Sequence, residues 1–595
     1  MSKNTINPET LPAWNLKDFY ASPQDPKIQE DLDAAATCAR EFSKALEGHI
    51  ATLSAKDLAE VIEDYEKIDE LLARLMSYAY LLYAENMGIQ DNAIFLQSIK
   101  EKVTDISQDL LFFTLEMNDI EDEALDAMLQ ENTPLQRYTP WIRQVRAFKP
   151  YQLSKDLEKI LHEKDIAARS NWIRLYDETF ADMRFTMRNK EYPISDMLNF
   201  LSDADATIRK DAALGFAEGL KKQISLFTLV TNTLAKSKEI TDRWRTYPTS
   251  ETSRHLDNQV EEEVVDALMQ SVKQSYPNLS HRYYQLKARW MGAETMPYWD
   301  RNAPLPQKND QPISWDEGRD IVLDAYQDFS PEMARLGQQF FDNNWIDGRL
   351  IPGKDSGAFS HPTVPSVHPY ILINYYGKVR DVMTLAHELG HGVHQCLAGE
   401  QGHLLSETPL TIAETASVFG EMLTFQSLMR RETDPEKKRI LLAGKVEDML
   451  NTVVRQIAFF DFERQVHAAR KEKELSSDEL GEIWMNIQRE SLGSAVELSP
   501  EYQHSWSYIS HFIHAPFYVY AYAFGDCLVN SLYAAYTSGD VPDFEAKYLD
   551  LLRAGGTKRH DELVKPFGLD TRSPDFWNKG LSMIAGFIDE LETLS

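Results

Sequence analysis

The stretch DVMTLAHELGHGVHQC, Asp381 to Cys396, decides how the chain is read. Within it, His387-Glu388-Leu389-Gly390-His391 sets two histidines four residues apart, with a glutamate directly after the first. On a helix, residues four apart lie one above the other on one face, so both imidazoles can reach a single cation. Zn²⁺ accepts neutral imidazole nitrogen, and Glu388 flanks the same site, within reach of a water held there. Val382, Met383, Leu385, Ala386, Leu389 and Val393 make this helix apolar around most of its circumference. A mostly buried helix with two imidazoles and a carboxylate needs partners for them, and one metal ion supplies those partners together. The alternative, a polar helix face with two unconnected histidines, loses ground once a suitable glutamate is found downstream.

A tetrahedral catalytic zinc site takes three protein ligands and a water. One scheme places a third histidine six residues after the second, but Leu397 stands there. His394 is three residues past His391; a third ligand from the same short helix would be strained, so it fits better behind the ligands. The other scheme takes a glutamate from a following helix. Glu400 and Glu407 lie in a Gly-containing loop, whereas Glu414 sits in the otherwise apolar TIAETASVFGEML, where a carboxylate must be compensated. Thr411 and Glu414 also match a capping box. The ligand reading of Glu414 is the stronger, and Glu421, on the same face, is placed to orient His387 or His391. Cys396, nine residues past His387, falls on the opposite helix face and reads as a packed thiol.

Working upstream, Ile346 to Tyr376 is punctuated by Gly348, Pro352, Gly353, Gly357, Pro362, Pro365 and Pro369. Its end, YILINYY from Tyr370 to Tyr376, is β-branched and aromatic and predicts a strand running through Gly377 into the metal helix. A small sheet next to that helix follows, either holding an extended peptide along an edge strand or merely propping the helix. The rest of the chain is helical in pattern. Helices are expected from Pro26 to Ile50, Ser54 to Asn86 and residues 91 to 117, then across Trp141 to Asp182, residues 196 to 245 and Ser314 to Asp342. Beyond Glu421 the helical pattern runs to the end. Residues 1 to 25, with Pro8, Pro12 and Pro23, read as an extended arm. MRFTMRNKEY, Met183 to Tyr192, alternates like a hairpin turning at Asn189-Lys190. Gly292 to Ser314, with Pro297, Pro304, Pro306 and Pro312, reads as a loop. The expected division is an N-terminal helical lobe over 1–200 and a catalytic domain, holding the metal helix, over 201–595.

With 595 residues the chain is too long for one simple core. Hydrophobic content of 43% and charged content of 26% belong to a soluble globular protein. A net charge of −31 argues against nucleic acid and against anionic membranes as partners. It serves solubility or, if concentrated in a cavity, favours basic substrates. Cys38, Cys396 and Cys527 imply no disulfide framework, which suits a reducing compartment. There is no secretory signal pattern and no run of 18 apolar residues, so a cytoplasmic location is expected.

Near the C-terminus, HFIHAPFYVYAY places His511, Tyr518 and Tyr522 at relative positions 0, 7 and 11, one face of a continuous helix, with Pro516 as a kink. These groups can donate to an oxyanion, but aromatic residues at such spacing more often pack as core.

Taken together, these motifs resemble the oligoendopeptidase F family, relatives of thimet oligopeptidase, over nearly the whole chain. Trp14-Asn15-Leu16 with Asp18 and Tyr20 is similar to the family's N-terminal signature. Gly353-Lys354, Ser356 to Phe359, Pro369-Tyr370, Asn374-Tyr375 and Thr384 to His391 are similar to its catalytic core. Glu414 to Ser417 is similar to its third-ligand segment, and His511-Phe512 with Pro516 to Tyr520 and Tyr522 to its substrate-proximal helix. Asp355 and Ala521 depart from the pattern. The resemblance implies a mainly α, two-lobed helical shell around a deep channel, and a zinc endopeptidase acting on short peptides. It implies one Zn²⁺ per chain on His387, His391 and Glu414, with Glu388 as base. His511 and a tyrosine, Tyr518, Tyr520 or Tyr522, would then steady the tetrahedral intermediate. The rivals are a zinc carboxypeptidase on a similar shell, a non-catalytic helical scaffold that binds peptides, and a closed structural metal site.

Overall fold

Ser54 starts one of the longest helices by accepting the Asp57 backbone N–H, and the chain then runs helical over Ala55–Glu85. Leu58, Ile62, Leu72, Leu75 and Leu81 fall on its buried face. Each such side chain is worth about 1.5–3 kcal/mol when taken fully out of water. The computed structural model describes residues 11–305 and 312–594, and it divides into two compact units, each assembled from three separated stretches.

The first unit comprises Met1–Lys149, Asp310–Arg431 and Ser538–Leu569. It opens with α1 (Pro26–Leu46), α2 (Ala55–Glu85) and α3 (Gln90–Gln108). Phe42, Tyr65, Phe113 and Trp141 bind these helices and their successors into one aromatic core; Phe42 meets Phe113 edge-on at 5.3 Å. The same core includes Tyr370, Leu372 and Leu405 from much later in the chain. The expected boundary at residue 200 therefore coincides with neither unit, because helices of one amphipathic type can bury their stripes against any complementary surface. The segment after Leu11 is docked rather than a free arm. Leu11, Trp14, Leu16, Phe19 and Tyr20 are buried. The Gly348 N–H donates to Pro12 O at 2.9 Å, and the Tyr370 hydroxyl to Asn15 O at 2.8 Å. Pro8 and Pro306 lie outside the described residues.

Two serine-capped helices follow, α4 (Trp315–Phe329) and α5 (Pro331–Asp342). A three-stranded sheet comes next: β1 (Ile346–Asp347), β2 (Phe359–His361) and β3 (Tyr370–Leu372), in the order β1-β3-β2. β3 pairs parallel with β1, setting Ile346 opposite Ile371, and antiparallel with β2, setting Ser360 opposite Ile371. The YILINYY strand is thus shorter than its pattern and central, fully buried on both faces, which explains its unbroken apolar run. β2, not β3, is the outer strand next to the metal helix.

Gly377 (φ +81°) makes the turn from β3 into α6 (Val379–Ala398). Asp381 caps this helix by accepting the Tyr376 and Lys378 N–H groups. Val382, Leu385, Ala386, Leu389, Val393 and Leu397 are all buried. α6 packs on α7 (Thr415–Arg431), and α8 (Phe544–Arg553) closes over both; the Tyr548 hydroxyl of α8 donates to Thr415 O at 2.9 Å. The close approach of α6 to α7 depends on Gly390. A Cβ there would sit 2.5 Å from Ala416 O and 2.6 Å from the Ser417 Cα, backbone that cannot yield. Gly390→Ala is therefore expected to cost about 2–3 kcal/mol, the clash outweighing the better helix propensity of alanine. A lower urea midpoint by circular dichroism would register this; an unchanged midpoint would refute the packing argument.

The second unit comprises Pro150–Asn309, Glu432–Thr537 and Asp570–Ser595. Its spine is the 40-residue helix Ala206–Arg245, accompanied by Val454–Glu472, Ser477–Leu492 and Pro574–Thr593. Trp484 and Trp577 fill its core, and the Arg209 guanidinium meets Asp300 at 2.7 Å where both are buried. The hairpin is present as Phe185–Met187 and Lys190–Tyr192. It turns at Arg188-Asn189, one residue earlier than expected, because these two residues adopt the positive φ (50° and 62°) that a tight two-residue turn demands. Among the described residues no helix is long and apolar enough to cross a membrane.

Candidate metal centre

The first unit brings three sequence-predicted ligands together. α6 presents His387 and His391 one turn apart on one face, and their rings lie edge to face with centroids 5.0 Å apart. Glu414 stands at the break between the short helix Leu410–Ala413 and α7. It is not the third residue of a capped helix, as the Thr411–Glu414 spacing alone allowed. Its Oε2 lies 3.4 Å from His387 Nε2 and 3.5 Å from His391 Nε2. One ligand atom from each of the three residues lies within 4.8 Å of the others. The side chains remain 18–29% exposed, open enough for a ligand to approach. Two imidazole nitrogens and one carboxylate oxygen converging at this distance form a donor set that suits a divalent cation.

A second layer holds these groups in place. Glu421 Oε2 lies 3.2 Å from His387 Nδ1, leaving Nε2 to face Glu414. Of the two histidines Glu421 was expected to orient, it engages His387. The Ser417 hydroxyl donates to Glu414 Oε2 at 2.8 Å. Sequence reasoning passed over Ser417, although its position one turn beyond Glu414 was a readable signal. The Tyr326 hydroxyl donates to the Ala386 carbonyl at 2.6 Å, bracing α6 directly before His387.

The charges are arranged for a cation. Burial disfavours a charge on His387, but Glu421, Glu414 and Glu388 outweigh it and lift the ring to about 9. Burial takes His391 down to about 4 against the pull of Glu414. Burial also opposes the charge on Glu414, but His391, His387 and the Ser417 hydroxyl hold its carboxyl below the ordinary value. Glu388 is 7% exposed, and burial pushes it up to about 7, with His387 opposing. The Ser360 backbone of β2 acts the other way and favours the carboxylate. Gln395 fastens the same residue twice, accepting from the Ser360 hydroxyl at 2.9 Å and donating to its carbonyl at 3.3 Å. The outer strand is thereby tied to the helix that carries Glu388.

His394 is buried, and Cys396 is half-buried on a cavity wall rather than fully packed. Glu400 and Glu407 are exposed and fall outside the three-residue group.

In the second unit, His511, Tyr518 and Tyr522 also come together, but not on one helix. The short helix His511–His514 ends before Pro516, Phe517 takes a left-handed φ of 59°, and a new helix begins at Tyr520. His511 Nε2 lies 3.3 Å from the Tyr522 hydroxyl, and the Tyr518 and Tyr522 rings are 5.2 Å apart. Tyr518 and Tyr522 keep part of their surface exposed. Tyr520 differs: it is fully buried, its hydroxyl bonded to Asn258 Nδ2 at 2.8 Å and His255 Nδ1 at 3.0 Å. That engagement removes Tyr520 from the candidate donors.

Known proteins match the chain along its whole length. It is 26% identical to oligopeptidase PepF of Bacillus subtilis, across 98% of this chain and 87% of that protein. It is also 26% identical to the group B oligopeptidase PepB of Streptococcus agalactiae, across 100% and 99% respectively. The crystal structure of oligoendopeptidase F from Enterococcus faecium shares the fold, with a TM-score of 0.70 and 21% identity over 95% of this chain and 99% of that one. The family model for peptidase family M3 matches residues 321–583, which include every residue of the metal centre, and that for oligopeptidase F matches residues 116–185. Residues 321–583 thus carry a segment of the peptidase family M3 type and residues 116–185 one of the oligopeptidase F type.

Proposed function

We propose that this protein is a zinc metalloendopeptidase that hydrolyses internal peptide bonds of short oligopeptides. The observation that carries the reading is the convergence of His387, His391 and Glu414, with Glu388 one residue along the same helix. His387, His391 and Glu414 would hold one Zn²⁺ per chain. When bound, zinc supplies Lewis acidity, acidifying a water and polarising the scissile carbonyl. Glu388 accepts the proton of the attacking water and returns it to the leaving amine. Its burial raises the carboxyl's affinity for a proton to about 7, where it can take a proton and give it back. Glu421 holds the His387 ring in one orientation. His511, with Tyr518 and Tyr522, is assigned to donating hydrogen bonds to the oxyanion of the tetrahedral intermediate, where one donor is worth about 3 kcal/mol of barrier. A cytoplasmic setting goes with this reading, since the cysteines Cys38, Cys396 and Cys527 are all free.

Internally quenched peptides blocked at both ends test the proposal. Cleavage that stops on chelation and returns with zinc is expected. Cleavage only of peptides with a free C-terminus would point to a carboxypeptidase instead. Chelator-resistant folding with no cleavage at all would leave the structural-site or scaffold reading in its place.

A further inference from the structure

Phe517 stands in the second unit between the short helix His511–His514 and the helix that begins at Tyr520, with a left-handed φ of 59°. Such a φ in a bulky residue is an outlier, which persists only where the surroundings fix it. Its side chain is fully buried, with ring centroids 4.7 Å from His467 and 6.2 Å from Phe460. Two side chains grip the backbone around it. Glu463 Oε1, from the helix Val454–Glu472, accepts the Phe517 N–H at 2.7 Å. Arg254 Nε donates to the Pro516 carbonyl at 3.3 Å, and the guanidinium lies over the Tyr518 ring, 5.8 Å from its centroid.

Packing alone does not hold the turn. A cavity of about 310 Å³ lies behind it, lined by Glu463, Arg254, Phe512, Ile513 and Pro516. Without the two bonds the backbone has room to relax towards an ordinary φ. Glu463 is also a costly residue for its place. It is 2% exposed, and its Oε2 has no hydrogen-bond partner among the described residues. Burial pushes its carboxyl up to about 8; the Phe517 N–H, Arg254 and Lys238 oppose this, and Glu251 adds to it. Near neutral pH it is therefore an uncharged acid, and its bond to Phe517 needs no charge. A leucine would suit the core better but would leave the buried Phe517 N–H unpaired.

We propose that Glu463 is a positioning residue for peptide hydrolysis: by accepting the Phe517 N–H it holds the left-handed turn that sets Tyr518 beside His511 and Tyr522. Arg254 grips the same turn through the preceding carbonyl. The Tyr518 ring thereby stacks with His511 at 6.0 Å and meets Tyr522 edge-on at 5.2 Å. The inference rests on the endopeptidase reading, with Tyr518 as an oxyanion donor, and adds to it the group that aims that donor.

The test uses the zinc-loaded full chain and one internally quenched peptide blocked at both ends. Glu463→Gln keeps an acceptor for the Phe517 N–H and should stay within about threefold of the parent. Glu463→Leu removes it and should lower kcat about 30-fold with KM within about twofold, because the oxyanion exists only in the transition state. A merely structural role would not split the two constants in this way, and zinc content should be unchanged in every variant. Tyr518→Phe should itself lower kcat about a hundredfold. In that background Glu463→Leu should cost no more than about threefold further. Arg254→Met, at a side chain 21% exposed, should show the same dependence on the Tyr518 hydroxyl and takes the place of Glu463→Leu should that variant fail to fold by circular dichroism. A kcat within about threefold of the parent for the variant so used overturns the positioning role. So does a loss undiminished by Tyr518→Phe, a Glu463→Gln as slow as Glu463→Leu, or a Tyr518→Phe without effect. Each of these leaves the endopeptidase reading intact. No zinc-dependent cleavage by the parent overturns that reading and the inference together.

Discussion

Glu388→Gln is expected to lower kcat/KM by about a thousandfold, within the range that a positioned general base contributes, while zinc content stays at one per chain. The two effects separate because Glu388 stands outside the converging group of His387, His391 and Glu414. Glutamine keeps the shape of the side chain and leaves the Ser360–Gln395 bonds untouched, so β2 should remain tied to α6. What is lost is the capacity to take and return a proton. Elemental analysis beside single-turnover cleavage of a blocked peptide reads both quantities. Turnover within tenfold of the parent enzyme, at full metal occupancy, would remove Glu388 from the role of base.

Glu414→Ala is expected to bring zinc content and peptidase activity down together. The carboxylate is the only donor of the three that does not come from α6, so without it two imidazoles of one helix turn remain, too few for a tight site. The loss should exceed that of Glu421→Gln, which disturbs only the orientation of His387 and should weaken zinc by about 10–100-fold. Competition with a chromogenic chelator measures both variants on one scale. Equal losses in the two, or full zinc retention in Glu414→Ala, would contradict the ligand assignment. Far-UV circular dichroism guards against a trivial cause, since Glu414 sits at a helix break, not inside α7.

Much of the metal centre was legible because its logic is local. Four-residue spacing places His387 and His391 on one helix face wherever that helix goes, and seven-residue spacing does the same for Glu414 and Glu421. The identity of the ring that Glu421 holds was not legible, because it depends on how α6 and α7 cross. The close Gly390–Ala416 approach sets that crossing. The late histidine and tyrosines show the limit from the other side. His511, Tyr518 and Tyr522 do gather, yet through a left-handed Phe517 and two separate helices, not along one continuous face. Tyr520, equal to its neighbours in sequence, is withdrawn by Asn258 and His255 from more than 260 positions away.

Helix content, the strand before the metal helix and the three-donor set all followed from short-range periodicity and residue chemistry, which act within a few turns of chain. The assembly of each unit from three distant stretches did not, nor did the central place of Tyr370–Leu372 in its sheet. The joint hold of Arg254 and Glu463 on the turn at Phe517 was equally hidden. These features depend on which apolar stripes meet across hundreds of residues, and burial is non-directional, so nothing in a local pattern names its partner.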